Sequence, residues 1–386
     1  MNKIPLIENA CKELLEYGVP NRRDKCRDLV KRLILHRKTP GEDPIFWPTG
    51  LLAAGLWYCR EELVKSEVSS DIGDGIYSAE PQEGAVESDV AGGPDAGACV
   101  ERIDRSLVAY YGRWMKKDMP LAVLDDLLAG ETLLDMYAEI QKGDTHGNAE
   151  LSAISLKVAL GKMALYAAAH PVDVAGSLLY RPANGETAVF VDGIGLACPF
   201  LYRYGEVFGK QEYKELAVLQ IANFLSYGMD GRTGLPYHGY DMSDGCKYGI
   251  IGWGRAVGWL LRGMMGCMIS AYGREKLSAP CTALVDAALG CQRQDGCFSW
   301  QLEALEGPAD TSATGMICAG LKQGLSLGVL AGETYKNALT AGRRALERSV
   351  RDGLVYQCSG ECEGFSRYPQ RYGAYPWSLG PALTVL

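Results

Sequence analysis

The sequence predicts an all-α chain, an (α/α)6 barrel of six helical hairpins. Two observations carry the prediction, and a third closes the ring. A short polar or aromatic loop followed by a helix rich in small and apolar residues recurs six times along the 386 residues, and internal periodicity of this kind marks a repeat architecture. Between these helices lie segments whose charged residues fall on one face at helical spacing. Each unit is then an inner, Gly/Ala-rich helix and an outer, charge-bearing one. Finally, the last inner helix ends on Pro-Ala-Leu-Thr-Val-Leu, apolar to its final residue, so another element must cover it. Closure against the first hairpins is the simplest cover, whereas an open solenoid needs polar caps at both ends.

The six inner helices start at Phe46-Trp47, Asp125, Asp192, Trp253, Thr311 and Tyr375. With Trp47, Asp125, Asp192, Arg255, Thr314 and Tyr375 as markers, successive steps are 78, 67, 63, 59 and 61 residues. The long first step contains residues 66–98, which hold eight Asp/Glu and no Lys or Arg. This Gly/Ser/Ala/Pro-rich stretch lacks the apolar residues to bury a core and reads as a disordered acidic insertion. It also accounts for the whole net charge of −8, because the rest of the chain has 39 acidic and 39 basic residues. A neutral folded part offers no basic face for nucleic acid. Outer helices are expected in KQEYKELAVLQIANFLSYG, SAPCTALVDAALGCQ and ETYKNALTAGRRALERSV. Each is followed by an Asp-Gly turn, in MDGRTGLPYH, QRQDGCFSW and VRDGLVYQ, a helix-end and tight-turn signature. The barrel is expected to occupy residues 1–386 as a single domain.

Other classes drop out. No apolar run reaches the length of a membrane span, and the N-terminal residues meet charge too early for a signal-peptide core, so a cytoplasmic protein is expected. The 13 cysteines are scattered through apolar helical patterns, as reduced buried thiols are. Neither Cys291/Cys297 nor Cys358/Cys362 has zinc-site spacing. No phosphate-binding glycine loop, G-x-S-x-G elbow or H-E-x-x-H motif occurs. No cofactor or metal is called for.

In such a barrel the inner helices run parallel, and the loops leading into them gather at one end, where residues remote in sequence meet in one cleft. Asp192 is the first candidate for chemistry. It follows an apolar run that can shield a carboxyl and suit it to general acid work; helix capping is the competing role. Asp125 and Asp126 precede another inner helix, where one of the two is expected only to match the helix dipole. Arg255 and Trp259, four residues apart, share one helix face. A guanidinium suits capture of a carboxylate and an indole suits stacking on a sugar ring; bracing of the barrel end and core packing are the alternatives. His238, one of four histidines, lies in the long loop before the fourth inner helix. Trp47, Phe190, Trp253, Thr311 and Thr314 complete the expected cleft.

The ordered runs VFVDGIGLACPFLYRYGEV, DGRTGLPYHGYD, WGRAVGWLLRGM and DTSATGMICAGL resemble the unsaturated glucuronyl and rhamnogalacturonyl hydrolases, glycoside hydrolase families 88 and 105. The WGRAVGW form and the HGYD after TGLPY are closer to family 105. The resemblance spans about residues 120–386 and weakly includes WPTGLLAAGLW. It implies an (α/α)6 barrel acting on small oligosaccharides that carry a 4,5-unsaturated uronic acid at the non-reducing end, as polysaccharide lyases leave on pectin and rhamnogalacturonan. It further implies that Asp192 protonates C4 of the vinyl ether and then deprotonates water attacking C5, with collapse of the hemiketal releasing the unsaturated sugar. By the same match Asp125 is a second catalytic carboxylate, and His238, Trp253, Arg255 and Trp259 bind substrate. Phe190 stands where these families often carry Trp. Two alternatives are an inverting glycosidase on a saturated glycan, using Asp192 with Asp125 or Asp126, and a non-catalytic helical scaffold.

Overall fold

A computed structural model describes residues 1–17, 45–72, 94–143 and 151–386 of the chain. Among these residues there are twelve α-helices. Helix α1 is Ile4–Glu16, α2 Trp47–Ile72 and α3 Pro94–Met115. A 3-10 turn, Leu124–Ala129, runs directly into α4, Gly130–Gln141. Then follow α5 Ala153–Ala168, α6 Val191–Phe208, α7 Gln211–Tyr227 and α8 Gly254–Cys267. The last four are α9 Ala271–Leu289, α10 Thr311–Ser326, α11 Glu333–Ser349 and α12 Pro376–Val385.

The inner ring is α2, the 3-10 turn with α4, α6, α8, α10 and α12, each packed on the next, and α12 returns to pack on α2. The expected (α/α)6 barrel is the fold. Every inner element begins within one residue of its predicted start, because small residues, caps and loop breakers are local signals. Small residues also close the ring. At the α2–α12 seam, a Cβ on Gly55 would collide with the Gly380 carbonyl, and one on Gly380 with the Leu51 carbonyl. The two backbones cross closer than any side chain allows. Gly195 does the same for α6 against Trp259 of α8.

Five outer positions are filled by α3, α5, α7, α9 and α11. The sixth comes from the other end of the chain: α1 packs on α2, α3 and α12, burying Leu6, Ile7, Ala10, Cys11 and Leu14. The cover expected for the C-terminal helix is thus α2 together with the N-terminal helix.

The acidic stretch 66–98 divides. Its ends, residues 66–72 and 94–98, fall within the bounds of α2 and α3; residues 73–93 lie outside the described residues. Among the described residues no helix is long and apolar enough to cross a membrane.

Short strands tie the loops at the N-terminal end of the inner helices. β1 (Val189–Phe190) pairs antiparallel with β2 (Gly239–Asp241), and β2 with β3 (Cys246–Tyr248). β4 (Val350–Arg351) and β5 (Leu354–Val355) form a hairpin. Its turn places Asp352 and Gly353 at φ 50° and 70°, the left-handed pair that Asp-Gly supplies. β6 (Cys358–Ser359) pairs with β7 (Tyr372–Gly373), closing a loop of residues 360–371 over the barrel mouth.

Candidate active site

At that mouth a cleft of about 160 Å3 is lined by residues from five different loops. Asp192 and His238 meet there because of the strand pairing. Phe190 is in register with Gly239, and the Val191 amide donates to the His238 carbonyl at 2.9 Å. The next side chain on each strand end therefore faces its counterpart. His238 Nε2 donates to Asp192 Oδ2 at 2.9 Å, and the Tyr368 hydroxyl lies 2.8 Å from His238 Nδ1. With the carboxyl as acceptor, Nε2 is the donating ring nitrogen and Nδ1 faces the tyrosine hydroxyl. Helix α6 carries no side-chain cap bond at its start, and Asp192 is turned toward the histidine, away from the capping role.

Asp125 and Asp126 separate cleanly. The Asp126 carboxylate accepts the amides of Ala122 and Val123 at 2.8 and 3.2 Å and so caps the 3-10 turn. Asp125, 7% exposed, lines the cleft. Burial pushes its carboxyl up to about 7; a hydrogen bond from Tyr180 opposes this, and the nearby Asp192 charge adds to it. At neutral pH the Asp125 carboxyl is therefore partly protonated, in the same cleft as Asp192.

Arg255 is buried at 2% exposure and lies in the same cleft as Asp192. Its Nη1 donates to Ser312 Oγ, Ser359 O and Ser359 Oγ at 3.2, 3.0 and 2.6 Å, and Nη2 to Gly360 O at 2.7 Å. Asp310 Oδ2 is 3.8 Å away, and the Trp253 and Trp377 rings flank the guanidinium at 4.8 and 5.9 Å. Bracing of the loop 359–360 is therefore a large part of what Arg255 does. Trp253 also packs on His238, with centroids 4.5 Å apart. Trp259 meets Trp47 edge to face at 6.0 Å, and both line the cleft.

Three expected binding residues need correction. Thr311 and Thr314 are fully buried and outside the cleft. Thr311 Oγ1 donates to Tyr356 O, while Thr314 Oγ1 donates to Asp310 O and accepts from the Phe298 amide. Both hydroxyls are consumed in joining α10 to its neighbouring loops. Phe190 does line the cleft, but both its faces are taken: Tyr180 stacks on one at 4.5 Å and Phe365 on the other at 4.0 Å. It spaces the site and offers no ring face to a sugar.

Several lining residues carried no repeat signal. Tyr180 and Arg181 come from the loop before α6; Glu361, Cys362 and Gly364 come from the 360–371 loop. Glu361 accepts from Trp47, and the apolar surroundings of its carboxyl raise its pKa. Burial pushes the Cys362 thiol up to about 12, which leaves it protonated and a poor nucleophile. Phe365 and Tyr368 form the lid over Phe190 and His238. Their spacing follows no helical or strand period, and only the β6–β7 pairing brings them to the mouth.

A proton-holding carboxyl, a carboxylate–histidine pair and aromatic walls around a small cleft suit acid–base chemistry on a ring-sized ligand. Comparison with known proteins agrees. The profile of Glycosyl Hydrolase Family 88 matches residues 101–386. Protein Atu3128 of Agrobacterium fabrum is 32% identical over 164 residues, 39% of this chain and 70% of that protein. A possible family 105 glycoside hydrolase from Klebsiella pneumoniae superposes with TM-score 0.74 at 16% identity, over 99% of this chain and 91% of that one. The unsaturated glucuronyl hydrolase of Bacillus sp. GL1 gives TM-score 0.63 at 17% identity, over 98% and 96%. At such identities the two solved structures are alike in fold.

Proposed function

We propose that this chain, which belongs to Glycosyl Hydrolase Family 88, removes a 4,5-unsaturated uronic acid from the non-reducing end of lyase-generated oligosaccharides of pectin or rhamnogalacturonan type. Membership makes it a glycoside hydrolase with a carbohydrate substrate, related to the unsaturated glucuronyl hydrolases. The observation that carries the finer reading is the Asp125 carboxyl, pushed up to about 7 and lying with Asp192 in a cleft sized for one sugar ring. An ordinary glycosidase must flank the anomeric bond with two carboxyls in separate roles. Hydration of a vinyl ether needs one proton delivered to carbon and one removed from water, which a single carboxyl can do in turn.

In this scheme Asp192 transfers a proton to C4 and the positive charge develops at C5, beside the ring oxygen. Water attacks C5, and its proton returns to the Asp192 carboxylate. The C5 hemiketal opens to a ketone, and the C1 hemiacetal left behind releases the remaining oligosaccharide. His238 holds Asp192 in place through Nε2–H, Asp125 supplies the second carboxyl, and Trp47 and Trp259 wall the ring. Arg255 keeps only the hydrogens not given to the 359–360 loop. Among the described residues no cysteine is in a disulfide and most of the cysteines are buried, which fits a reducing compartment, and we place the enzyme in the cytoplasm.

The assay is loss of the conjugated uronate absorbance, at about 235 nm, on protonation of C4 by the acid. Decay with lyase-treated but not intact glycan supports the reading; cleavage of intact glycan favours the inverting alternative, and no decay with any lyase product overturns it. A second assignment, with Asp125 as the proton donor, is favoured by its raised pKa. Asp192→Asn should abolish turnover while leaving folding intact. Retention of most activity by that variant, together with its loss in Asp125→Asn, would hand the acid role to Asp125.

A further inference from the structure

An anionic substrate needs a cation with hydrogens to give, and Arg255 has committed most of its own. Both Nη1 hydrogens and one on Nη2 face Ser312, Ser359 and Gly360. A second guanidinium lines the same cleft. Arg181 is exposed, and among the described residues no hydrogen bond or ion pair engages its five donors. Its guanidinium lies over the Tyr180 ring, 5.3 Å away. Pro182 opens the short 3-10 turn Pro182–Asn184 just after it, and Tyr180 is pinned by the Phe190 stack and by Asp125. The backbone beneath Arg181 is thereby held, while its head group is left free.

The charges around it favour this use. Asp125, Asp192 and Glu361 line the cleft, and the first and last both interact with Arg181. Without a cation at this point, the ionised carboxyls among them would repel an incoming carboxylate. A free planar fork accepts a carboxylate through two parallel bonds, which a single Arg255 edge crowded by carbonyls does less well.

We propose that Arg181 recognises the substrate's carboxylate at the mouth of the cleft. This rests on the reading of the substrate as a uronate. Arg181→Gln in the full chain should raise KM for the unsaturated uronyl oligosaccharide about ten- to hundredfold, with a far smaller change in kcat. The salt dependence of KM should fall with it. Arg181→Lys should recover part of the loss. On the neutral methyl ester of the same substrate, wild type and Arg181→Gln should have the same KM. Equal penalties on acid and ester would overturn the proposal. So would an unchanged KM with a displaced pH profile, which would make Arg181 only the counter-charge of Asp125 and Glu361. Calorimetric binding of galacturonate against its methyl ester needs no turnover. Charge-selective binding that disappears in Arg181→Gln supports the proposal even if wild type hydrolyses no lyase product, and binding that ignores charge or the substitution overturns it.

Discussion

Asp125→Asn should make the protein more stable at alkaline pH while disabling it. The native carboxyl is pushed from an ordinary 3.8 up to about 7, chiefly by burial. Between those values the unfolded chain has released its proton and the folded chain still holds one. Stability therefore falls as pH rises through this window, and the loss is complete above about 7. At about 1.4 kcal/mol per pH unit the ceiling is ~4 kcal/mol. Relaxation around the Asp125/Asp192 pair reduces it, so a difference of about 2–4 kcal/mol is expected. Asparagine fills the same volume and still accepts from Tyr180, but it cannot ionise. Urea unfolding of wild type and variant at pH 4.5, 6 and 8 measures the effect. The two should match at the acid end and diverge as pH rises, with the variant the more stable, and turnover should be lost throughout. Parallel stability curves would refute the assignment of the retained proton to Asp125, because other buried carboxyls such as Glu131 and Asp135 contribute equally to both proteins.

Three further substitutions test the architecture. Arg255→Lys removes the fork that holds Ser359 and Gly360 and leaves Asp310 with a poorly matched partner; thermal unfolding should show a loss of about 2–4 kcal/mol and proteolysis should open near residue 360. Gly55→Ala puts a methyl group into the Gly380 carbonyl, and the seam that closes the ring should lose about 3 kcal/mol or more, read as a lower denaturation midpoint with α2 and α12 exchanging faster. Thr314→Val strips the Phe298 amide of its acceptor, so stability should drop by about 1–3 kcal/mol while KM stays put. A raised KM with unchanged stability would restore Thr314 to the substrate.

Local chemistry determined the repeat, the helix starts and the tight turns. An inner helix announces itself through small apolar residues at helical spacing, and Asp352-Gly353 through its backbone preference, so no distant residue is needed to read them. Asp125 and Asp192 stand at the start of inner elements and His238 in the loop before one, and the ring brings those ends together in one cleft. Only tertiary structure decided which neighbour of such an end faces the cleft. Asp126 and Thr314 look as functional as Asp125 in one dimension, yet Asp126 Oδ2 and the Thr314 hydroxyl are bound to nearby backbone groups. Phe190 loses its ring faces to Tyr180 and Phe365, and Arg255 loses its hydrogens to a loop more than a hundred residues away. Arg181, Glu361 and Tyr368 follow no period and reach the site through strand pairs of two or three residues. The sixth outer helix comes from the opposite end of the chain. Saturation of hydrogen bonds and occupancy of ring faces are set by long-range contacts, and a linear pattern carries no record of them.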